Sequence, residues 1–191
     1  MKPTYEGFEA KKHSNFAQLP VPGAYVAEIQ GVRLEPSYDN TRDMIVVMLE
    51  ITEGEYAGQY HKVFEEQQSS FGKDVKYRGV LRLKPPIASD EPWVKNRFEG
   101  NIFCVQESNP GYRWDWDEKK LVGKKVGISV RKSLYTGNDG SDKETTEIVQ
   151  FETVNDVRDG KCKVMKPRDS RKKTSETPSF TEVSGAIDVP F

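Results

Sequence analysis

From Gly23 the chain alternates apolar and polar positions with the period of two expected of a half-buried β-strand. Tyr25, Ala27 and Ile29 hold one phase and Val32 and Leu34 the other, with Gly31 at the change. A glycine at a phase change predicts a β-bulge, the device that lets one long strand bend and serve two sides of a small barrel. Pro36–Arg42 carries turn chemistry, Met44–Ile51 places Ile45, Val47, Leu49 and Ile51 in one phase, and Glu53-Gly54-Glu55 predicts a turn into a third strand over Tyr56–Glu65. Ser89-Asp90-Glu91-Pro92 predicts a helix start; Val94 and Phe98 then share a face, and Gly100 predicts a stop. Asn101–Glu107 fits helix or strand. Val126, Ile128 and Val130 resume the β-period, Gly137-Asn138-Asp139-Gly140 marks a turn, and Val149 and Phe151 alternate after it.

Three strands, a helix and two strands predict a mainly β fold. The expected architecture is a five-stranded β-barrel of the OB-fold type, with a helical insertion between strands 3 and 4, in a domain over residues 23–165. Another small barrel or sandwich with an insertion satisfies the same pattern. Residues 1–22 are polar without sustained period and read as a flexible or loosely docked leader. From Lys166 onward Ser, Thr, Pro and charge leave too little apolar surface to offset ordering entropy, which predicts a disordered tail over 166–191.

Composition narrows the function classes. The longest apolar run, Met44–Leu49, falls far short of the roughly 20 residues of a membrane-spanning helix. Met1–Glu6 has no apolar stretch behind Lys2, so no secretory signal is expected, and isolated Cys104 and Cys162 read as reduced thiols of a cytoplasmic protein. With only His13 and His61 there is little room for histidine-based catalysis or metal binding, no phosphate-cradling glycine loop is present, and no cofactor is expected. The carboxylates Glu50, Glu53, Glu55, Glu65 and Glu66 leave one enzymatic alternative, Mg²⁺-dependent phosphodiester cleavage, against the simpler reading of solvated strand faces and turns.

The formal net charge of −1 conceals a segregation. Residues 23–66 carry three basic and nine acidic side chains, whereas residues 67–132 carry fourteen basic, eight acidic and all three Trp. Cations that track phosphates and rings that stack on bases, at about 1–3 kcal/mol each, are what single-stranded nucleic acid requires. Tyr60, Lys62 and Phe64 would share one face of the third strand, either toward a ligand or, for the two rings, into the barrel. Tyr112, Trp114 and Trp116 would line one side of an extended segment, stacking on bases or packing over the barrel. Lys124, Lys125, Arg131 and Lys132, leading to Tyr135, would contact phosphates, with Lys119 and Lys120 in the same run. Tyr38 and Arg42, after the first strand, are further candidates.

The last residues, Asp188-Val189-Pro190-Phe191, resemble the C-terminal tip of bacterial and phage single-stranded DNA-binding proteins. The resemblance implies that the terminal ring enters a partner's apolar pocket while its α-carboxylate meets a basic residue. Phe191 would then anchor, Pro190 hold the backbone extended, Val189 add apolar contact and Asp188 meet basic charge. Ile187 stands where a second acid is common, and Arg168, Arg171, Lys172 and Lys173 make the root of the tail basic. Gly23-Ala24-Tyr25, followed by a strand ending Ile51-Thr52-Glu53-Gly54-Glu55-Tyr56-Ala57-Gly58, is similar to the opening of phage-encoded OB-type members. The expectation is thus a non-enzymatic protein of the bacterial, or phage-infected host, cytoplasm. It would coat single-stranded DNA largely without sequence preference during replication, recombination or repair, recruit partner proteins through its tip, and possess no membrane association. Homo-oligomerisation is open, and the rivals are an adaptor β-domain that ignores nucleic acid, or the Mg²⁺-dependent nuclease.

Overall fold

The structure is a computed structural model that describes residues 17–72 and 74–171. Its centre is a predominantly antiparallel six-stranded sheet: β1 (Gly23–Pro36), β2 (Asp43–Ile51), β3 (Val80–Leu83), β4 (Lys125–Thr136), β5 (Asp142–Glu152) and β6 (Arg168–Ser170). The path runs β3-β2-β1-β4-β5, with β6 pairing parallel to β4. The sheet is not closed by a ladder, although β3 and β5, at the two ends of the path, approach within 8 Å between Cα atoms.

The phase change in β1 is a bulge. Its pairing with β2 slips between Ile29 and Gly31, so Gln30 has no partner there; Gly23–Glu28 of β1 pair with β4 and Ala27–Pro36 with β2. Ala27, Ile29, Ile45, Val47, Leu49, Ile51, Val126, Ile128 and Val130 all join the buried core, as the alternation predicts.

The third strand is placed differently. Residues 59–71 form helix α1 (Gln59–Phe71), not a strand over Tyr56–Glu65. Tyr60 and Phe64 satisfy a period of two as well as a spacing of four; Val63, buried with Tyr60, fits only the helix. The Glu50 carboxylate fixes the start, accepting the backbone N–H groups of Tyr60 (3.1 Å) and His61 (2.6 Å) and the Tyr77 hydroxyl (3.0 Å). Orphan donors of the first helical turn are thereby satisfied from a neighbouring strand. The actual third strand, β3, lies against β2 with Leu81 and Leu83 in the core.

Helix α2 (Pro92–Ser108) begins at Pro92, as the sequence indicates, but passes through Gly100 and settles Asn101–Glu107 as helix. Val94, Phe98, Asn101, Ile102 and Val105 form its buried face, which outweighs the helix-breaking tendency of one glycine. Asn101 Oδ1 accepts the Phe151 N–H at 2.7 Å and binds the helix to β5. A Cβ on Gly100 would meet nothing within 4 Å. Gly100→Ala should therefore stabilise the fold by about 0.5–1 kcal/mol through lost unfolded-chain freedom, read as a higher urea midpoint.

Glu91 holds the N-cap position of α2 with no side-chain capping hydrogen bond, and Asp90 before it is engaged elsewhere. Asp90 takes a bidentate contact from Arg42, whose guanidinium also donates to Pro85 O at 3.0 Å; the two side chains are only 7% and 9% exposed. The Arg42 hydrogen bonds hold the Asp90 carboxyl well below the usual carboxylate range. A depressed folded-state value adds stability above the unfolded-state value of about 3.9, and that contribution is lost as pH falls toward the folded value. Asp90→Asn should accordingly melt lower than wild type at pH 7, with the gap shrinking below about pH 4.

Short helix α3 (Val154–Arg158) follows β5. At the ends, Ala17 N–H reaches the Glu66 carboxylate (2.5 Å) and Gln59 donates to Gln18 O (2.6 Å), so the last leader residues dock on α1. The expected onset of disorder at Lys166 is corrected for residues 166–171: Arg168–Ser170 pair with Ser133–Tyr135, and Ser170 Oγ donates to Leu134 O at 3.0 Å. Asp188, Val189, Pro190 and Phe191 lie outside the described residues. No helix among the described residues is long and apolar enough to cross a membrane.

Candidate nucleic-acid interface

The residues singled out in the sequence separate into distinct environments. Tyr60 is 2% exposed in the core, and Phe64 packs edge-on against Tyr77 with centroids 5.7 Å apart. Positions i and i+2 do not face the same way on a helix, so Lys62 points away from both rings, exposed. The shared strand face expected for this trio does not exist. Arg42 is locked to Asp90, whereas Tyr38, at the tip of the β1–β2 loop, is fully exposed.

On the β4–β5 hairpin, Arg131 meets Glu147 at 2.8 Å and Lys132 meets Glu144 at 2.6 Å. Both charges are locally compensated by the facing strand. Tyr135 is half-buried on β4, between Lys143 across β5 and Ser170 on β6.

The segment after α2 gathers the remaining signal. Tyr112 is core, 9% exposed, with Lys124 Nζ 5.1 Å from its ring centroid. Beyond it Trp114 is half-buried and Trp116 is 65% exposed, at a left-handed φ of 68° that costs a non-glycine residue about 1–2 kcal/mol. That conformation lays the indole flat on Phe98, with centroids 5.8 Å apart and planes 15° from parallel; Trp114 meets Phe98 edge-on at 6.3 Å. Phe103, 54% exposed, stands one turn along α2 from Glu99 and completes the wall.

Together these rings border a groove of about 470 Å³ between α2 and Trp114–Trp116, with Ile102 in its lining, Pro86 after β3, and Lys95, Glu99 and Gln106 as its polar members. The chain continues from Trp116 into a 3-10 turn over Glu118–Leu121. Asp117 caps that turn by accepting Lys119 N–H at 3.2 Å, and Lys120 is engaged by Asp115, which raises the lysine and lowers the carboxyl from their ordinary values. Lys119, Lys124 and Lys125 have no carboxylate within 4.0 Å among the described residues. Gly123 N–H and Lys124 O then bind both backbone groups of Ile29 at the β1 bulge (2.8 and 3.0 Å), which fixes this basic loop to the sheet.

A second cationic row lies along β3 and just past its end. On β3, Leu81 and Leu83 face the core, so Arg82 and Lys84 face away, with Arg78 in the same alternation. Across the register Arg33 and Arg82 flank Val46; both are 57% exposed and share Glu35 at 2.6 and 3.4 Å. Two residues past Lys84, Pro86 reaches the groove. The alternation Leu81-Arg82-Leu83-Lys84 is the sequence signal for this row, and the longer alternation over Tyr56–Glu65 competes with it.

The carboxylates proposed for metal-assisted cleavage are dispersed: Glu50 caps α1, Glu53 pairs with Arg158 at 2.6 Å, and Glu65 with His61 at 3.2 Å. Among the described residues no group of three or more His, Cys, Asp or Glu could hold a metal ion. No protein-family model matches the chain, and no curated protein matches its sequence.

Proposed function

We propose that this chain is a non-enzymatic single-stranded DNA-binding protein with an OB-type core. The observation that carries the reading is the groove: solvent-exposed Trp116 and Phe103 stand beside stacked Phe98, with Lys119 and Lys124, which have no carboxylate within 4.0 Å among the described residues, following in the chain, and an exposed arginine-lysine row, paired at Glu35 and Asp90, leading to Pro86. Rings supply sequence-tolerant stacking and cations track the backbone, the two parts a single-strand site needs. The OB reading is supported by the strand path, by a bulged β1 serving both β2 and β4, by the approach of β3 to β5, and by α2 between the third and fourth strands. In this reading the protein coats single strands in replication, recombination or repair, and Asp188–Phe191 recruit partner proteins, Phe191 as the anchor.

Fluorescence anisotropy with labelled oligo-dT, set against duplex DNA, RNA and a Mg²⁺-containing incubation, tests it. Tight, fragment-free binding to the single strand is expected. Absence of binding would favour the adaptor alternative, and strand fragments the nuclease.

A further inference from the structure

Residues 161–173, where the domain passes into the tail, hold seven Lys and Arg against one acid, Asp169. Like charges at this spacing repel, and basic runs of this kind commonly project as unstructured arms. Here the described part, up to Arg171, is laid on the protein. Val157 of α3 packs on Gly127, near the start of β4, and Lys161 N–H donates to Asp156 O at 2.9 Å. At the other end of β4, β6 pairs with Ser133–Tyr135. The chain between these anchors therefore follows β4 along its length, about 35–40 Å for twelve residues. Cys162 and Met165 are half-buried on the way, whereas Lys161, Lys163, Lys166, Arg168 and Arg171 are exposed. Lys161 meets Asp159, Arg168 shares Glu147 with Arg131, and Arg171 meets Asp169 and Asp142. Lys163 and Lys166 have no carboxylate within 4.0 Å among the described residues.

We propose that residues 161–171 are a second contact for the bound strand, in which Lys163 and Lys166 meet phosphates and carry its path along β4, beyond Lys124 and Lys125 at the start of that strand. An ammonium with no carboxylate neighbour gains counterion release on meeting a phosphate without first breaking an ion pair. No aromatic ring occurs among residues 161–171, so this contact is electrostatic and indifferent to the base. The β6 ladder holds the cations in place before the strand arrives, which spares part of the ordering cost that a free basic arm would meet on binding. The inference rests on the single-strand reading above and extends its footprint to the root of the tail.

The test is the salt dependence of oligo-dT affinity, by anisotropy, for full-length wild type and three double variants. Lys163→Gln/Lys166→Gln removes the two charges, Lys163→Arg/Lys166→Arg keeps them, and Lys62→Gln/Lys76→Gln removes the same charge on and just after α1. All four lysines are exposed, so each variant should fold; a melting curve checks this. At about 0.7 per phosphate, the Lys163/Lys166 glutamine pair should flatten the slope of log K against log salt by about 1.4. From about 50 to 200 mM salt, wild type should then lose about sevenfold more affinity than that variant. The arginine pair should keep the wild-type slope, and the Lys62/Lys76 pair should flatten it by less than half as much. An unchanged slope in the Lys163/Lys166 glutamine pair, or an equal flattening by the Lys62/Lys76 pair, overturns the second contact and leaves single-strand binding standing. Wild type that does not bind oligo-dT overturns both.

Discussion

Replacing Trp116 with alanine should weaken oligo-dT binding by roughly 5- to 150-fold, whereas Trp93→Ala should change it less than about twofold. Loss of one base-stacking ring costs about 1–3 kcal/mol, and each 1.4 kcal/mol is a factor of ten. The pair isolates position from exposure. Trp116 is 65% and Trp93 61% exposed, both lie in the basic third of the chain, and only Trp116 borders the groove with Phe98 and Phe103. Trp116→Ala gives up the stack on Phe98 while alanine keeps the left-handed backbone, so a somewhat lower melting temperature is expected and binding is compared at a temperature where both variants are folded. Equal losses in the two variants would mean that exposed indoles bind DNA indiscriminately and that the groove is incidental.

The largest expected effect on stability is at Gly79. A Cβ there would lie 2.3 Å from Leu49 O, 2.8 Å from a Tyr77 ring carbon and 2.9 Å from Tyr60 Cγ. Leu49 O belongs to strand β2, and the same strand's Leu49 N–H donates to Gly79 O at 2.8 Å, so the carbonyl cannot retreat without opening the β2 edge where β3 begins. Tyr60 is 2% exposed and cannot swing out. Overpacking against flexible neighbours usually costs about 1–3 kcal/mol. Here the obstruction is backbone and buried ring together, so Gly79→Ala should cost about 3 kcal/mol or more, read from the urea midpoint. The contrast with Gly100→Ala, expected to stabilise, turns on the empty space around Gly100.

The elements legible in the sequence are those whose buried face admits one period. Ile45, Val47, Leu49 and Ile51 can alternate only as a strand, and Gly31 marks the bulge because apolar positions change phase around it. Tyr60 and Phe64 admit two periods, and the deciding contribution, capping of α1 by Glu50 from another strand, is a long-range contact that local pattern does not contain. β3 is four residues long and too short to announce itself beside a longer competitor. In the candidate site, the alternation of Trp114 and Trp116 was visible, but Phe98, Phe103 and Gln106 join them only through the packing of α2. Arg131 and Lys132 counted as free cations in the sequence because Glu147 and Glu144 become their neighbours only in the β4–β5 register. Charge segregation therefore located the region, and the fold decides which of its charges remain uncompensated.

The most direct measurement of the central claim is the salt dependence of oligo-dT affinity for the full-length protein. Single-strand binding by phosphate neutralisation predicts a straight line of log K against log salt with slope about −0.7 per phosphate contacted. Contacts from Lys119, Lys124 and Lys125, joined by Arg82 and Lys84 where phosphate displaces Glu35 and Asp90, would give a slope of about −2 to −4. A flat line, or no measurable binding at the lowest salt, would contradict the account.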